Sequence, residues 1–474
     1  MSLAEIALLA LIGAVYALVL PRRWRGGALL VLTTLGIFWL QPPLPVRWLD
    51  YSLPLALLVL VGFTWLAARA PNQRVTRRDW LTAAVVFGVA LALTAARYVQ
   101  LPVELTTRPP DAPSVILALA AALGLAVLAS RLPRAWFLWL MLAVLIAAFI
   151  VLKTPALTLS LTRILRLSAA QDPALAAPAD VLWLGFSYAA FRLIATVRDR
   201  QSGILPVMSL REYVTYALFL PAFPAGPIDR PETFLAQLQA VPGLNTRASS
   251  RFAYAGTRLA VGAFKKFVIA DTLALYSLNA VTAPQSETTG ALWLLVFIYA
   301  FQLYFDFSGA IDMVIGIGVL FGIQLPENFN RPYRQRTITA FWQSWHITLS
   351  VWARAYVYSP LSRSLLRRKS KPSPDIIFIL ATLATMIVIG LWHAVALNFL
   401  IWGVWNAAGL IVHRFWTQRT RNRYRALPPG RLRLWHGAGW AMTFVFVALG
   451  WVWFAIPDVQ LAARTFLRLF GVTS

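Results

Sequence analysis

The chain holds four histidines, His346, His393, His413 and His436, and no cysteine, so proton transfer near neutral pH has few side chains to pass through. The lack of cysteine removes thiol nucleophiles, disulfides, iron–sulfur clusters and thiolate zinc sites. No two histidines show the one-turn spacing with a nearby carboxylate that a zinc helix needs, so no metal site is expected. His393 stands in the apolar stretch from Ile387 to Phe399, which reads as a membrane helix or a helix pair. An imidazole there is costly unless a function or a hydrogen-bonding neighbouring helix holds it. His346 follows Phe341, Trp342 and Trp345, and helical spacing puts Trp342, Trp345 and Leu349 on one side, a pattern that an interfacial aromatic belt would also produce. Asp306 and Asp312 interrupt long apolar runs, where a carboxylate faces either an aqueous cavity or a partner. For both, a structural ion pair with an arginine of the 331–336 stretch is expected ahead of catalysis. Ser308, Gly309, Gly316 and Gly318 would let neighbouring helices approach closely.

The elements that must position these residues are membrane helices. Of 474 residues, 59% are hydrophobic and only 13% charged, which excludes an ordinary soluble fold. A net charge of +25 would suggest nucleic acid in a soluble protein, but here Lys and Arg sit in short clusters between apolar runs. That is the distribution of basic loops held on the cytoplasmic side of a membrane, and no nucleic-acid partner is expected. Runs long enough to span lie near residues 3–20, 27–41, 51–68, 80–96, 114–130, 135–152 and 181–197, and again near 211–225, 255–280, 290–323, 376–392, 394–412 and 437–456. The fold class is therefore all-α and polytopic, with about 11–13 transmembrane or re-entrant helices. The first run lacks a basic segment before it and is followed by Pro21, Arg22, Arg23 and Arg25, so it reads as a retained helix rather than a cleaved signal.

Arginines collect in alternate early loops: Arg22 to Arg25, Arg69 to Arg78, Arg131 with Arg134, and Arg198 with Arg200. The loops between are nearly charge-balanced, as in Arg97 and Arg108 with Glu104 and Asp111, so the N-terminus is predicted extracytoplasmic. Residues 324–371 are too polar to span and too aromatic for a free loop, and are expected to lie at the interface or re-enter the membrane against protein. Residues 414–433 read as a second basic loop. No internal repeat is visible, which weighs mildly against transport.

An ordered series of segments resembles the membrane-bound O-acyltransferase family, in particular its bacterial branch containing alginate O-acetyltransferase and the D-alanyl transfer protein of teichoic-acid modification. The series runs through Leu184-Gly185-Phe186-Ser187-Tyr188, Phe223-Pro224-Ala225-Gly226-Pro227-Ile228-Asp229-Arg230, Tyr304-Phe305-Asp306-Phe307-Ser308-Gly309 and Leu325-Pro326-Glu327-Asn328-Phe329-Asn330-Arg331-Pro332-Tyr333. It continues in Phe341-Trp342 with Trp345-His346-Ile347, in Gly390-Leu391-Trp392-His393, 47 residues beyond His346, and in Gly450-Trp451-Val452-Trp453-Phe454. The chain departs from the family pattern at Gln343, Ser344, Ala355, Asn406 and Ala455, and in the stretch from Ala394 to Asn398, changes that bear on the substrate more than on the reaction.

The resemblance implies a ring of helices around a central funnel, with residues 1–180 as N-terminal transmembrane helices and 181–474 as the catalytic core. It implies acyl transfer from a thioester to a hydroxyl, which needs a base and donors for the developing oxyanion. His393 is assigned as the base and His346 as the supporting residue; Asn398, Tyr304, Asp306, Trp392 and Trp345 are expected to line the substrate path. Transfer within a ternary complex is expected, without an acyl-enzyme. The implied donor is acetyl-CoA or an acyl or aminoacyl carrier-protein thioester, with no bound cofactor. The implied partners are a cytoplasmic carrier protein, an exported acyl-relay partner and a glycan or polymer acceptor, at the inner or plasma membrane. A transporter or flippase for an anionic lipid or polymer, with His393 as a proton relay, is the alternative.

Overall fold

The computed structural model describes residues 2–98, 109–245 and 248–472. Apart from one isolated antiparallel bridge, Phe329 to Trp345, the regular structure in these residues is helical. Seven of the described helices are long and apolar enough to cross a membrane: Leu49–Ala68, Arg77–Arg97, Ala112–Ser130, Arg134–Lys153, Thr289–Leu320, Pro374–His393 and Pro429–Ala455. Leu3–Val19 is a shorter apolar helix. The all-α polytopic class read from composition is the class observed. Glu104 and Arg108, which contribute to the charge balance of the loop before Asp111, lie outside the described residues.

Two compact units divide the chain. The first takes in Met1–Leu259 and Met313–Pro326, the second Ala260–Asp312 and Glu327–Ser474. In the first unit several helices open on reciprocal capping boxes, Ser2 with Glu5, Thr76 with Asp79 and Ser209 with Glu212. Each satisfies backbone N–H groups that a helix start leaves bare. The run at 211–225, expected to span, does not: helix Leu210–Leu218 stops, and a single tight turn at Leu220–Ala222 follows. Pro221, Pro224 and Pro227 remove backbone donors and forbid a continuous helix. The carbonyls this frees converge on Arg192, which is 1% exposed and donates to Ala217 O, Ala222 O and Pro227 O at 3.0–3.1 Å. Asp229 lies beside this knot, and burial pushes its carboxyl up to about 6 despite the nearby guanidinium.

In the second unit the run near 255–280 is likewise not one straight helix. It enters as the end of Ser249–Ala263, widens into a π-helical segment Phe264–Ala270 and ends in Asp271–Ala274. The hairpin Pro374–His393 and Leu397–Arg425 is drawn tight by small residues, since a Cβ on Gly403 would stand 2.7 Å from Met386 O and one on Gly390 would overlap Phe399 O. Residues 414–433 correct the sequence reading. They form a helical hairpin turning at residues 426–428, not a loop, because arginine and glutamine are good helix formers and only Leu427-Pro428-Pro429-Gly430 supplies turn chemistry.

Candidate active site

His346 begins a short helix, Ile347–Ala353, and occupies the position where Ser, Thr, Asp or Asn would ordinarily cap it. Its backbone is left-handed, with φ 43° and ψ 55°, a conformation that costs a non-glycine residue roughly 1–2 kcal/mol. The missing cap comes from Asn328. Its Oδ1 accepts from Thr348 N at 3.1 Å and from Thr348 Oγ1 at 2.6 Å, and its backbone carbonyl accepts from Ile347 N at 3.0 Å. Asn330 N donates to Ser344 O at 2.9 Å from the other side. The polar segment Glu327–Arg331 thus clasps the turn that holds His346, and the 324–371 stretch is ordered by protein contacts, with short helices Ile338–Trp342 and Ile347–Ala353.

The His346 side chain is buried, yet neither ring nitrogen has a hydrogen-bond partner among the described residues. An unmet buried donor or acceptor costs about 1–3 kcal/mol, so this histidine is kept at a price in stability. His346 lies outside the seven spans, and burial pushes its pKa down to about 3, which holds the imidazole neutral. His413 and His436 differ in having partners. His413 Nδ1 meets Thr339 Oγ1 at 2.9 Å, and His436 Nδ1 accepts from Arg336 at 2.9 Å while Nε2 meets Tyr424 at 3.1 Å.

His393 is the last residue of Pro374–His393, where the chain leaves the helix before Leu397 starts the next. The helix-pair reading of this stretch is therefore the observed one. Its ring is packed by Phe399 at 5.6 Å, Trp402 at 5.8 Å and Phe454 at 4.8 Å. The Trp392 ring neighbours both histidines, 6.1 Å from His346 and 4.5 Å from His393 by ring centres. Phe307 also packs edge-on against His346 at 4.8 Å.

The remaining predicted residues fall into three settings. Tyr304 and Trp345, 6.3 Å apart, belong to an aromatic wall with Phe329, Tyr333 and Phe341, and Trp345 reaches Trp451 at 5.1 Å. Asn398 is buried, and its Nδ2 donates to Trp453 O at 3.1 Å, tying two helices. Asp306 pairs with Lys266, and Asp312 with Lys265 at 2.6 Å. The arginines of 331–336 expected as their partners are replaced by these adjacent lysines of the π-helical segment. The contact is possible because Asp306, Gly309 and Asp312 share one helical face, and a Cβ on Gly309 would come within 2.7 Å of Gly262 O. Among the described residues no three metal-capable side chains cluster. Asn328 lies in the family-like segment Leu325 to Tyr333 but was assigned no role from the sequence.

Long apolar helices and a buried histidine whose ring nitrogens have no partner among the described residues mark an integral membrane protein with a candidate functional group. Residues 132–449 match the model of MBOAT, the membrane-bound O-acyltransferase family, and the chain belongs to that family. It is 35% identical over 294 residues to a probable alginate O-acetylase of Pseudomonas putida, covering 61% of this chain and 56% of that one. It is 32% identical over 292 residues to a peptidoglycan O-acetyltransferase of Helicobacter pylori, covering 58% and 52%. To a teichoic acid D-alanyltransferase of Streptococcus thermophilus it is 29% identical over 244 residues, covering 50% and 58%. The chain spans about half the length of the curated relatives it matches.

Proposed function

We propose that this protein is an O-acyltransferase that moves an acyl group, an acetyl group in the first instance, from a thioester donor to a hydroxyl of an extracytoplasmic glycan, polymer or relay partner. One observation carries the reading: His346 is buried with both ring nitrogens unmet, and the Trp392 ring that it neighbours also packs on His393. A ligand with oxygen atoms would meet those nitrogens. The relatives named as an alginate O-acetylase, a peptidoglycan O-acetyltransferase and a teichoic acid D-alanyltransferase support the substrate class.

In the proposed reaction His393 takes the proton of the acceptor hydroxyl as its oxygen attacks the thioester carbonyl carbon. The carbonyl electron pair moves onto oxygen, and the neutral His346 donates to that oxyanion through its ring N–H. Collapse re-forms the carbonyl, breaks the C–S bond and releases a thiolate, which recovers the proton from His393. The aromatic wall of Tyr304, Trp345 and Trp451 excludes water from this path. Residues 181–474 serve as the catalytic core, with acetyl-CoA or a carrier-protein thioester as donor.

The test is thioester cleavage by purified protein supplied with acetyl-CoA and, separately, with an acyl-carrier thioester. Cleavage that disappears in His393→Ala supports the enzyme. No consumption of either donor by folded wild-type protein would overturn it.

A further inference from the structure

Asn328 is fully buried, and the direction of its carboxamide is fixed by chemistry. A backbone N–H can only donate, so the atom that faces Thr348 N at 3.1 Å is the oxygen, and the amide nitrogen must face the other way. That nitrogen is sealed from solvent and has no partner among the described residues. Asn328 is also bonded to the two residues that follow His346, Ile347 through its carbonyl and Thr348 through its side chain. The clasped turn and the segment that clasps it therefore each carry unmet polar atoms, both ring nitrogens of His346 and Nδ2 of Asn328. Helix capping accounts for Oδ1 alone. An aspartate or a serine would cap as well, and neither would bury an idle NH2 group.

We infer that Asn328 is a second oxyanion donor, its Nδ2 hydrogen-bonding the carbonyl oxygen of the thioester as that oxygen gains negative charge beside His346. This rests on the acyl-transfer reading above and adds a residue to it. Two neutral donors suit an oxyanion that exists only in transit, because they stabilise its charge in a site that water does not screen.

The experiment uses the full-length protein in detergent or liposomes with acetyl-CoA as probe, following thioester cleavage. Asn328→Asp keeps an oxygen toward Thr348 and replaces the donor by an acceptor. It is expected to lower kcat by about 10²–10³-fold, the usual loss for one oxyanion donor, with KM for acetyl-CoA within about twofold. Asn328→Ser, which adds no charge, should show the same split and guards against misfolding of the aspartate variant. Thr348→Val removes the 2.6 Å bond to Oδ1 while leaving the Asn328 amide in place, and should stay within a few-fold of wild type. Should Asn328→Asp or a folded Asn328→Ser turn over at the wild-type rate, or Thr348→Val lose as much as either, Asn328 only caps the helix and the inference falls. If wild-type protein cleaves acetyl-CoA and His393→Ala does not, that failure leaves the acyl-transfer reading intact.

Discussion

If His393 moves the proton and His346 holds developing charge, the two histidines tolerate different replacements. His393→Asn should be as inactive as His393→Ala, since an amide cannot exchange a proton near neutral pH, and the loss should be about 10²–10⁴-fold in rate. His346→Asn should retain more transfer than His346→Ala, because an amide still donates. Acyl transfer by folded, membrane-inserted variants measures both, and an active His393→Ala beside a dead His346→Asn would reverse the roles. The buried His346 also gives a pH signature. Its pKa falls from about 6.5 in the unfolded chain to about 3 in the folded one, so between those values the unfolded state binds more protons. Its contribution to stability is complete above pH 6.5 and is lost as pH falls toward 3. Thermal unfolding in detergent between pH 7 and 4 should therefore decline less steeply for His346→Asn than for wild type, and equal slopes would show that His346 charges freely in the fold. Both histidines were visible in the sequence because polar groups are rare in apolar context. The role of Asn328 was not, because it lies in which of its atoms is left unpaired.

Helices show where sequence reasoning reaches and where it stops. Spans such as Arg134–Lys153 and Pro374–His393 fall within a residue or two of the apolar runs that announce them, since length and hydropathy are local properties. The segment beyond Leu218 and the Phe264–Ala270 widening were hidden, because proline-broken or π-helical backbone in an apolar setting depends on which neighbour satisfies the freed groups. The two lysine–aspartate pairs were hidden for a related reason. The carboxylates were evident, but their partners were set by the Gly309 contact, which no spacing rule supplies. These pairs should not be equal in worth. The Asp312 side chain is 8% exposed and that of Asp306 42%, so the pair made by Asp312 is the less screened by solvent, and Asp312→Asn should lower stability more than Asp306→Asn. Unfolding midpoints of the two variants in the same detergent provide the comparison; a larger drop for Asp306→Asn would mean that the pair nearer Phe307 bears the packing.

For the molecule as a whole, orientation decides which face meets a thioester and which meets an envelope polymer. Leu49–Ala68 and Arg77–Arg97 are joined by a short segment carrying Arg69 and Arg74, and Ala112–Ser130 and Arg134–Lys153 by one carrying Arg131. With each of these four helices crossing the membrane, the two basic segments would share a face and Asp111 would lie on the other. The helical hairpin turning at residues 426–428 carries seven arginines from Arg414 to Arg433 and no carboxylate. Positive charge resists translocation, so we predict that residues 69–78, Arg131 and this hairpin are cytoplasmic and that Asp111 and the N-terminus are external. The chain's lack of cysteine makes the test clean, since a single introduced thiol reports alone. In intact cells a membrane-impermeant maleimide should label Asp111→Cys, and should label Arg74→Cys and Arg421→Cys only after the membrane is opened. Labelling of Arg74→Cys from outside with protection of Asp111→Cys would invert the first four spans. Labelling of Arg421→Cys alone would put the arginine hairpin on the acceptor side, where a cytoplasmic thioester carrier could not reach it.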